Sequence, residues 1–230
     1  MKNEKVRLIS ELKSQRLSVG ILASRWMDFK QTLEILAQHQ LHLLHFDIAD
    51  GQFSPLFTVG AIGIKQFSAP FIKDVHLMVK NPFLTVRECV EAGADILTLQ
   101  IESDEDLNPI YDWIRHHSPT TLCGISLCPN TDLNLLFPYL DKVDVIQILT
   151  LDPRTGIKAE QADLIKRIQQ LSEQLGEQRQ HKIISVDGSM NLNLAKLLVP
   201  LDIDWIVSGS ALFAGEQLHD TLSRWTTALA

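Results

Sequence analysis

Aromatic residues make up only 7% of the chain, while aliphatic Leu and Ile are frequent and apolar residues reach 45%. That balance suits stacked aliphatic layers inside a barrel better than a β-sandwich. Cysteine is scarce as well: Cys89, Cys123 and Cys128 form neither an even disulfide set nor a C-x-x-C pair. A disulfide framework is therefore disfavoured, and a reducing, cytoplasmic setting is expected. No stretch approaches about eighteen uninterrupted apolar residues, and the N-terminal MKNEKVRLISELKSQR lacks the apolar centre of a secretory signal. Neither a membrane span nor a membrane partner is expected. Clusters of Lys or Arg are missing too, and the formal net charge is −7. This disfavours a nucleic-acid groove or an anionic membrane surface. A bound anion would have to be small and held by local backbone donors with one or two cations.

What the chain does contain is a regular alternation. Short runs rich in β-formers occupy residues 17–22, 41–47, 72–78, 95–101, 121–127, 143–150, 182–187 and 204–208, and helical periodicity fills the gaps. Phe29, Leu33, Leu36 and Ala37 share one helical face after the first run. Leu164, Ile165, Ile168, Leu171 and Leu175 do so after the sixth, with Gly176 as the stop. Eight strands alternating with helices predict an α/β fold, a single (β/α)8 TIM barrel over residues 1–230. The segment before the first run is expected to form a helix closing the lower end. The open, doubly wound sheet is the competing architecture, but its glycine-rich turn after the first strand is absent from Ile21-Leu22-Ala23-Ser24.

In such a barrel the polar residues at the carboxyl ends of the strands face the active-site mouth. His45 and Asp47 end the second run, His76 the third and Asp187 the seventh. Positions i and i+2 share a face, so His45 and Asp47 point inward together. Two imidazoles and two carboxylates around one centre suit one divalent ion, Zn, Fe(II), Mn or Co. A lone His-x-Asp pair is more often a hydrogen-bonded structural pair. Four ligand-type residues at three strand ends, in apolar surroundings where unpaired polar groups are costly, tilt the reading toward metal. A second signal follows the last two strands, in Gly188-Ser189 and Gly209-Ser210. Loops at those places recurrently cradle phosphate, although either Gly-Ser pair alone reads first as a turn or cap.

With these residues in view, the chain resembles the ribulose-phosphate 3-epimerase family across almost its whole length. The matching stretches are His45-Phe46-Asp47-Ile48-Ala49-Asp50-Gly51-Gln52-Phe53, Asp74-Val75-His76-Leu77-Met78, Ala92-Gly93-Ala94-Asp95, Val186-Asp187-Gly188 and Val207-Ser208-Gly209-Ser210-Ala211-Leu212-Phe213. The resemblance implies a ribulose-phosphate-binding barrel, an isomerase that interconverts D-ribulose 5-phosphate and D-xylulose 5-phosphate. It implies metal ligation by His45, Asp47, His76 and Asp187, with Asp47 and Asp187 as the catalytic acid/base pair. It also places His76, Met78, Gly156, Gly188, Ser189, Gly209 and Ser210 against the phosphorylated ketose, and a homo-oligomer is expected on the same ground. Abstracting a proton beside a ketone leaves an enediolate that needs a cation at its oxygens, and inversion needs a proton donor on each face.

The chain departs from the family pattern around the substrate. Gly20 stands at the strand-one serine, Ala49 at a methionine, Cys128 at the asparagine of Leu-Asn-Pro, and Pro153-Arg154-Thr155-Gly156-Ile157 at a glycine-rich segment. Gly20 and Ala49 are expected to leave extra room. Arg154 and Lys158 read first as solvated surface cations, with charge compensation for the lost glycines as the alternative. Two rival functions follow: a 3-epimerase of a hexulose 6-phosphate such as D-allulose 6-phosphate, and a non-catalytic paralogue that binds sugar phosphate or metal. A related phosphate-binding decarboxylase ranks lower, because no Asp-x-Lys pair ends a strand.

Overall fold

The computed structural model describes residues 2–215 and 217–230, with side chains placed from residue 5 onward. Eight strands run β1 (Leu17–Gly20), β2 (Leu43–Ala49), β3 (Ile72–Met78), β4 (Ile96–Gln100), β5 (Leu122–Leu127), β6 (Val145–Leu149), β7 (Ile183–Asp187) and β8 (Trp205–Ser208). They pair in sequence order, all parallel, and β8 closes on β1. The eight runs expected from the sequence all appear. His45, Asp47 and His76 do not end their strands as expected, however, because β2 continues to Ala49 and β3 to Met78.

Alternation along each strand sorts its side chains into two cores. On β2, Leu44, Phe46 and Ile48 point outward into the shell of apolar residues under the helices, while Leu43 points inward with Ile96, Leu122, Val145, Ile183, Trp205 and Val207. Both faces of the sheet are covered, so the strands read as nearly unbroken apolar runs. The helix α1 (Lys2–Leu12) does close the lower end: Leu12 belongs to the inward cluster, with Leu8 and Ile9 packed against it.

The remaining helices are α2 (Phe29–Gln38), α3 (Ala61–Ile64), α4 (Pro82–Glu91), α5 (Leu107–His117), α6 (Gln161–Leu175), α7 (Leu192–Leu198), α8 (Ser210–Phe213) and α9 (Leu218–Leu229). Local chemistry sets several ends. The Asp106 side chain accepts from Asn108 N to cap α5, whose last turn carries Arg115, His116 and His117 against the helix dipole. Gly176, at φ 48°, stops α6, which buries the stripe Leu164, Ile168, Leu171 and Leu175. On α2 the buried positions are Thr32 and Leu36, whereas Ala37 is exposed. The stripe is rotated toward Phe29, Leu33 and Leu36, so small Ala37 falls off its edge. The connection after β5 is a 3-10 segment, Leu133–Tyr139, with Pro138 inside, where proline prevents a regular α-helix. No described helix is long and apolar enough to cross a membrane.

Candidate metal and substrate site

Strand register assembles the centre. His45 is opposite Asp74 and Asp47 is opposite His76 on neighbouring β2 and β3, while Leu149 aligns with Asp187 on β6 and β7. One ligand atom from each of His45, Asp47, His76 and Asp187 lies within 4.8 Å of the others. Asp47 Oδ1 is 3.3 Å from His45 Nε2 and 3.2 Å from His76 Nδ1; Asp187 Oδ2 is 3.6 and 3.7 Å from the same nitrogens. Both rings are buried, and Asp47 is the most open member, with 42% of its side chain exposed.

The outer nitrogens are already engaged. His45 Nδ1–H donates to Asp74 Oδ2 at 2.8 Å, and Ser18 Oγ donates to the same oxygen at 3.0 Å. His76 Nε2–H donates to Gln100 Oε1 at 3.0 Å, and the Gln100 amide is oriented by donating to Glu102 Oε2 at 3.0 Å and Cys128 Sγ at 3.4 Å. With one proton on each outer nitrogen, neutral rings present lone pairs at the inner nitrogens, facing carboxylate oxygens. Four acceptors then converge with no donor among them. Such a set requires either protons or a cation, and two nitrogens with two oxygens fit a borderline divalent ion.

Titration follows the same geometry. Burial opposes charge on His45, but Asp74 and then Asp47 outweigh it and hold its pKa well above the ordinary imidazole value. His76 is raised against the same cost by Asp47, with help from Asp187. Asp47, despite its desolvation, is held well below the carboxylate range by His45 and His76. Asp187 moves the other way: burial, and then the Asp47 charge, push it up to about 6. Gln147 Nε2 donates to Asp187 Oδ2 at 3.1 Å and Gly188 N to Asp187 Oδ1 at 2.6 Å.

A cavity of about 510 Å³ opens above the centre. Met78, Gly156, Gly188, Ser189, Gly209 and Ser210 all line it together with the four ligand-type residues. Met78 packs with Ala49 and Phe53 as a small apolar wall. The Gly188-Ser189 turn needs its glycine: φ is 103°, and a Cβ there would sit 3.0 Å from both Thr150 Oγ1 and Leu151 Cδ2. The extra room expected at Gly20 is not there. A Cβ on Gly20 would lie 2.9 Å from Gly209 Cα and 3.2 Å from Gly209 N, so the missing side chain is replaced by backbone of the β8 loop. Sequence reasoning misses Asp74, Gln100 and Gln147. Gln100 and Gln147 are inward polar residues between apolar neighbours, which is the pattern that marks them, while Asp74 stands two residues before His76 on the same face of β3.

A family model described as the ribulose-phosphate 3 epimerase family matches residues 16–213. The chain belongs to that family. It is an epimerase, and hence an isomerase, acting on a sugar phosphate. LsrE of Salmonella typhimurium, an epimerase by provisional name, is 41% identical over 224 residues, covering 94% of this chain and 88% of that protein. The ribulose-phosphate 3-epimerase of Treponema pallidum is 32% identical over 209 residues, covering 88% and 93%. Among solved structures, 3-hexulose-6-phosphate synthase of Salmonella typhimurium superposes with a TM-score of 0.65 at 16% identity, covering 94% of this chain and 98% of that one. Phosphoribosyl anthranilate isomerase of Thermus thermophilus gives 0.63 at 12%, covering 93% and 99%. At such identity these two likenesses speak for the barrel alone, and the chain's place among the epimerases rests on the family match and its sequence relatives.

Proposed function

We propose that the protein is a metal-dependent ketose-phosphate 3-epimerase interconverting D-ribulose 5-phosphate and D-xylulose 5-phosphate. The observation that carries the reading is the opposed pair Asp47 and Asp187, on strands that are not neighbours, facing one cavity beside two histidines. His45, Asp47, His76 and Asp187 would hold one divalent ion of the Zn, Fe(II), Mn or Co class, which when bound supplies positive charge to the substrate's oxygens. Asp47 and Asp187 each hold or release a proton at C3, one on either side of the planar enediolate, so that removal on one face and return on the other inverts the centre. Their divergent environments support separate roles, since one carboxyl is kept ionised and the other is eased toward its protonated form. Met78, backed by Ala49 and Phe53, gives the cavity an apolar wall that keeps water from competing for the reacting carbon. Gly188, Ser189, Gly209 and Ser210 offer backbone and hydroxyl donors to the phosphate, with Gly156 lining the same cavity.

Proton NMR of the metal-reconstituted protein with D-ribulose 5-phosphate in deuterated water tests the reading. Deuterium at C3 together with the xylulose epimer is the expected result, while neither signal would overturn it. A hexulose 6-phosphate is the second reading. It rests on the cavity volume, no longer on Gly20, and comparing kcat/KM on the two sugar classes separates them. The homo-oligomer carried over from the family is tested by light scattering of the eluted protein.

A further inference from the structure

Arg154 and Lys158 look alike in the sequence, yet the fold gives them different neighbours. Lys158 lines a separate groove with Pro129, Asn130 and Arg167, and Arg154 lines the cavity above the metal centre. Among the described residues lining that cavity, Arg154 is the one Lys or Arg side chain. Its surroundings fix the guanidinium plane. Arg154 Nε and Nη2 donate to the two carboxylate oxygens of Asp152 at 2.9 and 2.7 Å, and the guanidinium carbon lies 5.8 Å from the Phe53 ring centroid. Among the described residues no acceptor meets Nη1, so donors on the far edge of the fork stay free.

The segment carrying this group is tied to the Gly188-Ser189 turn. Thr150 Oγ1 donates to Gly188 O, and Leu151 packs where a side chain on Gly188 would go. Beyond Leu151 the loop is closed by Asp152 N to Ile157 O at 2.9 Å and Gly156 N to Asp152 O at 2.7 Å. A braced cation is thus held on a short, cross-bonded loop beside one of the two Gly-Ser turns. The local electrostatics call for such a cation. The chain carries a formal charge of −7, and the cavity floor holds Asp47 and Asp187. A phosphate monoester adds roughly 1.5 to 2 further negative charges at neutral pH. An ion held by the four ligands would serve the reacting oxygens and leave the phosphate end to other donors.

We propose that Arg154, braced by Asp152 and Phe53, is a specificity-determining residue that donates to the substrate's phosphate and selects phosphorylated over unphosphorylated ketoses. The proposal rests on the sugar-phosphate reading of the cavity and assigns it a residue absent from the family's glycine-rich pattern at this loop. Planar, bidentate donation is what distinguishes arginine from lysine here, so charge alone would recover only part of the effect.

The test uses full-length metal-loaded protein, with inorganic phosphate as a probe that needs no turnover. For R154A, the KM for D-ribulose 5-phosphate and the dissociation constant of inorganic phosphate, read by phosphorus NMR or calorimetry, should both rise roughly 10-fold, with kcat changed less than about 3-fold. R154K should fall between R154A and the parent. D152N, which keeps the cation and loosens its brace, should show a smaller rise in both constants. Unchanged phosphate affinity in R154A overturns the proposal, whether or not turnover suffers, because loss of kcat alone would mark a merely structural loop residue. If the parent turned over neither pentulose nor hexulose phosphate yet bound phosphate through Arg154, the substrate reading would fall and the assignment of Arg154 would stand.

Discussion

The two ends of this barrel are built by the same eight strands, yet they hold opposite chemistry. At the lower end Leu12 enters a ring of Leu43, Ile96, Leu122, Val145, Ile183, Trp205 and Val207, all nearly fully buried and all apolar. One or two inward positions further along the same strands stand Asp47, Thr98, Gln100, Gln147 and Asp187. The alternation of the strand guarantees that inward residues stack in layers, and the sequence chooses what each layer contains. Separation of this kind puts the apolar closure at one end and the buried cluster of two imidazoles and two carboxylates at the other. Each end can therefore be damaged without the other.

Replacing Asp187 with Asn gives the largest expected effect. The carboxyl is already eased toward its neutral form by burial and by Asp47, so the neutral isostere should leave the thermal midpoint of the metal-free protein unchanged or slightly higher. Epimerisation should fall roughly 10³-fold or more. With Asp47 intact, proton exchange at C3 should survive from one epimer only, which NMR in deuterated water would show directly. Turnover equal to the parent's would exclude the two-carboxylate mechanism.

At the other end, Leu12→Ala should cost about 2–5 kcal/mol in unfolding free energy, read from the denaturant midpoint. The side chain is fully buried within a closed ring that has little freedom to collapse. Under native conditions kcat and KM should stay within about twofold of the parent, because no residue of that ring belongs to the metal centre and, of its members, Val207 alone also lines the cavity. A comparable loss of turnover would mean that the two ends are coupled through the barrel wall, and their independence would be refuted.

Legibility from the sequence divides along the same line. Strand positions and the helix over the lower end follow from apolar periodicity, which a single sequence displays openly. The four ligand-type residues are also legible, because His and Asp inside apolar strands are conspicuous. Their partners are not: Asp74, Gln100 and Gln147 gain their meaning only when register lays them beside His45, His76 and Asp187. Gly20 shows the limit most clearly. A glycine in place of a serine reads as added space, and the fold fills that space with the backbone of Gly209, in the loop after β8, which pairs with β1. Likewise, nothing in the spacing of Arg154 and Lys158 separates a cavity wall from a neighbouring groove.

The finest expected effect concerns pH, and it sharpens the contrast because the strongly shifted, mutually facing titratable groups of the metal centre all lie at the upper end. In the metal-free protein His45 and His76 bind protons more tightly when folded than when unfolded, so their contribution to stability is full below about pH 6.5 and is lost as pH rises through their raised values. Asp187 works in the same direction, since its reluctance to ionise sets in above about pH 3.9 and is complete once pH passes its own value of about 6. Asp47 has the opposite sign, but its stabilisation is already complete by about pH 5 and adds no slope above that. The thermal midpoint of metal-free protein should therefore fall by a few degrees between about pH 5.5 and pH 8.5. A divalent ion replaces the protons, so the gap between metal-loaded and metal-free midpoints should widen as pH rises. Leu12→Ala should shift both curves downward in parallel, whereas Asp187→Asn should flatten the metal-free one. Flat, parallel curves in the parent would show that protons and metal do not compete at these four residues, and the assignment of the upper end as a metal centre would not survive that result.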